Sequence, residues 1–397
     1  MIEWLQRVEG ERPFLMMGDT TWSYGQTLEE VRRRSSPKTR LSKPSLTPES
    51  VFDVVAGVAG GGVTVVGPKP ETTKADESSK LVVFTSGSSG RPKGVRLTRA
   101  NLQAAAEASA THLGHGPEDN WLLAMPLHHV GGLSIVVRQM YVGGSITMLP
   151  SFDAAGFAAA MKGQVTMVSV VPTMLRRVLA FAPFSELRAV LVGGGPIPEG
   201  LLEEAVAAGL PVLPTYGMTE TFGQVATLRP GSPLANRAHP LPGVEIRIDP
   251  ERRIAVRGDQ VSHGYVGEPD RADPWFVTND IGELDEDGAL RVLGRADTVI
   301  VSGGENVDPE HVEAVLREYG HIEELVVVGV PDEEWGQIVT CVHSGHVDVA
   351  GAEKFCAERL PGFMVPKRWV EVAVVPKTSL GKPDRRAAAA LGLRGDG

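Results

Sequence analysis

The stretch Leu81-Val82-Val83-Phe84-Thr85-Ser86-Gly87-Ser88-Ser89-Gly90-Arg91-Pro92-Lys93-Gly94 decides how the rest of the chain is read. Four apolar residues make a short buried strand, and a loop rich in hydroxyls and glycine follows it, ending near a lysine. Glycine lets backbone N–H groups approach anionic oxygens closely, and hydroxyls add donors, so the loop is built to wrap phosphate. A plain surface turn is the alternative on composition alone. A conventional P-loop is excluded, because G-x-x-x-x-G-K-[ST] is not met where Pro92 separates Arg91 from Lys93.

Outward from this loop, β-branched runs alternate with Ala/Leu/Glu-rich stretches: Leu81 to Phe84 before Ala100 to Thr111, and Val165 to Val171 before Thr173 to Ala180. Ala189 to Val192 then leads through Gly193-Gly194-Gly195 to a helix at Glu199 to Ala208, and Pro211 to Pro214 follows. This is the pattern of βα units on a mostly parallel, buried sheet, whose ligands bind where strands end in loops. After Pro242 the texture changes to short strands with acid-glycine turns: Glu245 to Ile248, Arg253 to Val256, Gly282 to Leu284 and Ala289 to Leu293. A third texture follows Gly294-Arg295, with strands at Val299 to Val301 and Leu325 to Val330 and helices at Pro309 to Glu318 and Ala352 to Arg359. The fold expected is α/β: a large N-terminal domain (1–294) of parallel-rich sheets with helices, then a hinge (295–298) and a compact, mobile α+β C-terminal lid (299–397). The large domain divides into 1–80, a βα core at 81–241 and a small β-rich subdomain at 242–294.

Bulk properties agree with an ordinary globular protein of two or three units: 397 residues, 42% hydrophobic, 22% charged and 6% aromatic. A formal net charge of -10 argues against a sequence-independent nucleic-acid binder, which needs a basic face. Cys341 and Cys356 are too few and too far apart for a disulfide framework or a zinc cluster, and read as reduced structural thiols. The start, Met1-Ile2-Glu3-Trp4-Leu5-Gln6-Arg7, carries an acid early and no apolar core, so a secretory signal is not expected. The longest weakly polar stretch, Val54 to Pro68, falls short of the ~20 residues of a membrane span and reads as a helix and a buried strand. A cytoplasmic protein is the expectation.

The loop at 85–94 closely resembles the signature phosphate loop of the adenylate-forming superfamily of acyl-CoA synthetases, peptide-synthetase adenylation domains and luciferases. Further segments match that family in order. Thr215-Tyr216-Gly217-Met218-Thr219-Glu220 resembles its adenine and magnesium motif, Thr278-Asn279-Asp280 its ribose segment and Gly294-Arg295-Ala296-Asp297 its hinge. Ser302-Gly303-Gly304-Glu305-Asn306 and Pro376-Lys377-Thr378-Ser379-Leu380-Gly381-Lys382 complete the series. The resemblance spans Leu81 to Arg386. It implies an ATP-dependent ligase that activates a carboxylic acid as its acyl-adenylate and passes the acyl group to coenzyme A, with ATP, Mg2+ and coenzyme A as its small-molecule requirements.

Carried over position by position, the resemblance implies that Thr85, Ser86, Gly87, Ser88, Ser89, Gly90 and Lys93 hold phosphate. Gly194, Gly195, Pro196, Thr215, Tyr216 and Gly217 would flank adenine, and Asp280 and Arg295 the ribose. Lys382, Thr219 and Glu220 are the catalytic candidates. Carboxylate attack on the α-phosphate brings two anions together, so a lysine cation and a magnesium-holding carboxylate, Glu220, are what the chemistry asks for. The second half-reaction needs the lysine withdrawn and a thiol admitted, so Asp297 is the hinge and Ser302, Gly303, Gly304 and Glu305 the coenzyme A side. The surface reading of each residue, a solvated lysine or a plain Ser-Gly-Gly turn, stands beside these roles.

Met125 to Ser134 and the following Arg138 are especially similar to the acyl pocket of o-succinylbenzoyl-CoA synthetases of menaquinone biosynthesis, which act on an aromatic dicarboxylate. His129, Val130, Gly131, Gly132, Arg138 and Gly193 are the substrate candidates on that basis. Three departures stand out. Asn279 replaces the usual glycine, and Phe222-Gly223-Gln224 replaces Ser-Ser-Gln. The phosphate loop also comes early, after a hairpin near Glu11 to Tyr24, so the first subdomain is shortened and is expected to be closed differently, for example by a partner subunit in a homodimer. Other acids, a carrier-protein thiol in place of coenzyme A, and a non-catalytic adenylate-binding scaffold remain open at this level.

Overall fold

The computed structural model describes residues 1–34, 38–41, 44–60, 62–67, 79–85, 92–184, 187–198, 200–320, 322, 324–377 and 383–393. Its backbone is a nine-stranded sheet. In spatial order the strands are 239–240, 223–227, 212–218, 189–192, 167–170, 120–123, 145–148, 13–17 and 20–23. From 212–218 to 13–17 the neighbours run parallel, and an antiparallel hairpin finishes each end. Strands 120–123, 167–170 and 189–192 are buried at every position, as expected for parallel strands covered on both faces.

A second sheet carries strands 264–265, 93–97, 81–85, 63–66 and 38–41. The sequence reading passed directly from the strand at Leu81 to the helix at Ala100. The structure inserts the strand Lys93–Leu97, antiparallel to Leu81–Thr85 with Thr85 opposite Lys93, so the strands flanking the glycine-rich loop pair with each other. The element was missed because charged residues alternate through Lys93-Gly94-Val95-Arg96-Leu97 and blur its apolar face.

The early hairpin, Pro13–Met17 with Thr20–Ser23, joins the large sheet by pairing Leu15 with Ile146. The chain's own residues pack this shortened region. Trp4, Phe14, Tyr24, Val51 and Phe52 are buried from the chain's own helices and strands in one core with Leu102, Trp121 and Leu133. Tyr24 further donates to the carbonyl of Gly144 at 2.7 Å, fastening the helix Tyr24–Arg34 to the sheet.

The β-rich segment is a four-stranded antiparallel sheet, 245–248, 253–257, 276–284 and 290–295. The strand at Gly282 is longer than expected and includes Thr278-Asn279-Asp280. Asn101 ties this region to the large sheet. It and Thr98 form a reciprocal capping box at the start of helix Arg99–Leu113, and its side-chain amide donates to the carbonyls of Asp259 (2.7 Å) and Val261 (3.0 Å). The last portion has strands 305–307, 300–302, 336–344 and 324–332, with 368–372 parallel to 336–344 and helices 309–319, 349–357 and 385–392 packed on them. Cys341 and Cys356 are unpaired and buried in its core, where burial pushes the Cys356 thiol up to about 11. Among the described residues, no helix is long and apolar enough to cross a membrane.

Asn101→Ala is expected to cost about 1–3 kcal/mol, because it removes half of a capping box and takes the donor from the carbonyls of Asp259 and the buried Val261. Urea unfolding checks this, and a midpoint equal to the parent's would contradict it.

Candidate active site

The parallel strands 189–192 and 212–218 end side by side, and two glycine positions make that possible. A Cβ at Gly193 would sit 2.5 Å from the carbonyl of Thr215, and one at Gly217 would collide with the carbonyl of Gly223. Gly194 lies at φ +77°, and a Cβ on Gly195 would meet nothing, so the Gly193-Gly194-Gly195-Pro196 turn leaves open space beside Tyr216.

Tyr216 donates its hydroxyl to Asp280 at 2.6 Å, and Arg295 donates to the other oxygen of the same carboxylate at 3.1 Å. Burial, with the Asp280 charge adding to it, raises the Tyr216 phenol well above its ordinary value, so it stays a donor. Asp280 and Arg295 face each other across strands 276–284 and 290–295, and Arg295 also grips Asp297 with two bonds of 2.9 and 3.0 Å. A carboxylate has about four lone-pair sites, so Asp280 keeps acceptor capacity for a diol. Asn279 lies in strand 276–284 where its pairing with strand 253–257 shifts register, at negative φ, and its carbonyl accepts from Ala296 at 2.7 Å. The backbone there stays outside the left-handed region that would favour glycine.

Thr219 and Glu220 occupy a single 3-10 turn after strand 212–218. Glu220 accepts from the hydroxyl of Tyr265 at 2.9 Å, and the ammonium of Lys93 lies 4.9 Å from the centre of the Tyr265 ring. Tyr265 comes from the strand Gly264–Tyr265, paired with Lys93–Leu97, so the same hairpin that carries the glycine-rich loop brings it to Glu220. Sequence reasoning missed Tyr265, which follows a lone glycine and carries no motif. Burial, then the Glu220 charge, raises its phenol too. Among the described residues no three His, Cys, Asp or Glu side chains gather as a ready-made cage. That fits magnesium, which uses one or two carboxylates, waters and substrate phosphates.

His129 precedes the helix Val130–Val142, and its ring lies 4.3 Å from that of His128. A Cβ on Gly132 would come within 2.6 Å of the carbonyls of Met125 and Pro126, so the helix start packs directly on that turn. Arg138, two turns further, is 4% exposed, and its guanidinium rests 5.3 Å from the centre of the Trp121 ring. No carboxylate among the described residues pairs with it. Burial lowers its pKa to about 9, still cationic at neutral pH. The same guanidinium lies 3.1 Å from where a Cβ on Gly223 would be, and Gly223 is at φ +112°. The departure at Phe222-Gly223 thus has a physical reason: a serine at 223 would be strained and would press on Arg138. Phe222 turns inward at φ 51° and is 1% exposed.

Ser302 and Glu305 pair across a two-residue turn with Gly303 at φ +61° and Gly304 at φ +85°, the geometry that demands glycine in a tight hairpin. The Trp335 ring covers Gly303, 3.1 Å from its would-be Cβ. Ser86, Gly87, Ser88, Ser89, Gly90 and Lys382 lie outside the described residues. Their flanks are described: Thr85 opposite Lys93, and Lys377 bridged to Pro383. The structure therefore gathers Tyr216, Asp280, Arg295 and Asp297 in one cluster, Glu220 and Lys93 around Tyr265 in another, and Arg138 against Gly223.

The chain matches the model described as AMP-binding enzyme over residues 34–266 and that described as AMP-binding enzyme C-terminal domain over residues 311–382. A 2-succinylbenzoate–CoA ligase from Bacillus cereus is 38% identical over 348 residues, covering 81% of this chain and 72% of that protein. The o-succinylbenzoate CoA synthetase from Bacillus subtilis, in complex with the acyl-adenylate intermediate OSB-AMP, superposes with a TM-score of 0.83 at 26% identity over 97% of each chain. A double mutant of that synthetase bound with its product analogue OSB-NCoA gives a TM-score of 0.69 at 27% identity, covering 96% of this chain and 97% of that one.

Gly223→Ala is expected to destabilise the fold by about 1–3 kcal/mol through its left-handed backbone and the crowding of Arg138. Urea unfolding measures this, and a parent-like midpoint would show that the position tolerates a side chain.

Proposed function

The chain belongs to the AMP-binding enzyme family, and from that membership we propose that it is an AMP-forming acid–thiol ligase converting o-succinylbenzoate, ATP and coenzyme A to o-succinylbenzoyl-CoA, a step of menaquinone biosynthesis in the cytoplasm. The substrate carries two carboxylates, of which one is activated. The observation that carries the substrate assignment is Arg138, a buried guanidinium with no carboxylate partner among the described residues, held against Gly223 three residues after Glu220. A buried charge without a partner is costly, and a ligand carboxylate relieves it.

In the first half-reaction an oxygen of the activated carboxylate attacks the α-phosphorus, and the bond to the pyrophosphate oxygen breaks. Two unit charges 4 Å apart repel by roughly 1 kcal/mol in water but by about 4 kcal/mol at an effective dielectric of 20, so a dry site needs cations. Lys382 supplies one to the developing phosphoryl oxygens, and Lys93 with the 85–90 loop supports the departing phosphates. Glu220 and Thr219 are the residues that would hold magnesium, which neutralises pyrophosphate as it leaves. Tyr216 and the Gly193 to Pro196 turn take the adenine, and Asp280 accepts from the ribose hydroxyls while Arg295 fixes it. His129, Val130, Gly131 and Gly132 line the acyl side together with Arg138.

In the second half-reaction the thiol sulfur attacks the acyl carbonyl, AMP departs with the carboxyl oxygen, and the thiol proton is released. Rotation about Asp297 withdraws Lys382 and brings the Ser302–Glu305 turn to the pantetheine. Every named group comes from one chain, so a homodimer would be a matter of assembly rather than of completing the site.

Purified protein is expected to form o-succinylbenzoyl-CoA only with ATP, magnesium and coenzyme A together, and EDTA should abolish it. Absence of o-succinylbenzoate-dependent pyrophosphate exchange would sink the assignment. Lys382→Ala should reduce that exchange by about 100-fold or more. Arg138→Met should raise KM for o-succinylbenzoate by about 10- to 100-fold, the worth of a lost charged hydrogen bond. The same variant should leave unchanged the KM of an analogue lacking the carboxylate that is not activated, and an equal rise for both acids would contradict the role given to Arg138.

A further inference from the structure

Arg176 sits on the helix Pro172–Leu179, which packs beside the large sheet, yet it forks between two bodies of the protein. One nitrogen donates to Glu204 of the neighbouring helix Leu201–Ala207 at 2.6 Å. The other donates to Glu318, 142 residues away at the end of helix Pro309–Tyr319 in the last portion of the chain, at 2.5 Å. The Glu318 side chain is only 18% exposed, against 56% for Glu204.

Glu318 is badly placed for its own helix. It lies in the last turn, where the helix dipole disfavours an anion, whereas Arg317 beside it is matched both to the dipole and to Glu313 at 3.1 Å. The cation that relieves Glu318 therefore belongs to the other body. Glu204 gives the arrangement a second property. If the last portion turns about Asp297 and carries Glu318 away, Arg176 keeps a carboxylate and Glu318 becomes hydrated, so release strands no buried charge.

The orientation this contact holds can be assigned. The chain superposes more closely on the synthetase with its acyl-adenylate (TM-score 0.83) than on the same synthetase with its coenzyme A product analogue (0.69), at nearly equal coverage.

We propose that Arg176 is an electrostatic latch, bonded to Glu318 while the acyl-adenylate is formed and left on Glu204 alone while coenzyme A reacts, so that it biases the balance of the two half-reactions. The proposal rests on the two-step ligase reading and adds a positioning residue remote from the reacting atoms.

The test uses the full chain with Glu318→Gln, Glu318→Lys and Glu204→Gln. Acid-dependent pyrophosphate exchange reads the first half-reaction, and rapid-quench consumption of enzyme-bound acyl-adenylate by coenzyme A reads the second. An exposed ion pair is worth a few-fold in an equilibrium, so Glu318→Gln should slow exchange by about 2- to 5-fold and Glu318→Lys by about 3- to 10-fold, with the second step unchanged or faster. Glu204→Gln should leave both near the parent. Salt at ~0.5 M should bring the parent's exchange rate toward that of Glu318→Gln. Equal slowing of both half-reactions by Glu318→Lys, or no change in either, overturns the latch. A fluorescence pair on Val206→Cys and Val374→Cys, both exposed positions, keeps the outcome separate from the ligase reading. Glu318→Lys should shift its distance distribution away from the parent's even if no acid supports exchange, and an unshifted distribution overturns the latch by itself.

Discussion

Asp280 is the point on which the site depends. Its carboxylate takes the Tyr216 hydroxyl from the end of the large parallel sheet and the Arg295 guanidinium from the small antiparallel one. Arg295 passes the connection on to Asp297, the last fixed point before the chain enters its final portion. A single acceptor thus sets the distance between the end of the large sheet, the small sheet and the segment that leads into the final portion. Two charged or strongly polar donors on one carboxylate give short, directional bonds, roughly twice as strong as neutral ones. Loss of this group would release three elements at once rather than one hydrogen bond.

The same logic of shared partners recurs on either side. Tyr265 stands between Glu220 and Lys93, so the carboxylate proposed for magnesium and the base of the phosphate hairpin are spaced by one phenol ring. Arg138 is held differently, by a Trp121 face and the missing side chain of Gly223, and keeps its hydrogen-bonding edge unclaimed by any protein carboxylate among the described residues. The Asp280 cluster is thus internally neutralised, whereas the Arg138 guanidinium has no carboxylate partner among the described residues. Arg176, with two carboxylates to choose between, extends this pattern to the contact between the main body and the last portion.

Much of this was legible along the chain. The alternation of β-branched and helical runs from Val165 to Pro214 gave part of the parallel sheet, because a strand buried on both faces must be apolar throughout, whereas the run at Leu81 belongs to the second sheet. The short strands after Pro242 gave an antiparallel sheet, and Ser302-Gly303-Gly304-Glu305 gave a tight turn, because both central positions need φ above zero. What escaped was of a different kind. The strand Lys93–Leu97 was hidden by its charges. Closure of the shortened first region by Trp4, Phe14, Tyr24 and Phe52 is a property of packing that no local pattern announces. The glycine at 223 read as a lost hydroxyl and became intelligible only beside Arg138.

By itself, then, the sequence determined the chemistry on offer: which donors, acceptors and glycines exist, in what order, and the class of reaction they suit. Those properties are local, written in a few consecutive residues each. Tertiary structure alone decided the partnerships: Tyr265 with Glu220, Arg138 with Trp121 and Gly223, and Arg176 with both Glu204 and Glu318. Most of these pairs are separated by tens of residues or more, and they meet only because strand order and helix packing bring distant segments together. Charges and rings act over a few ångströms, so who neutralises whom is fixed by the packed fold and by nothing shorter.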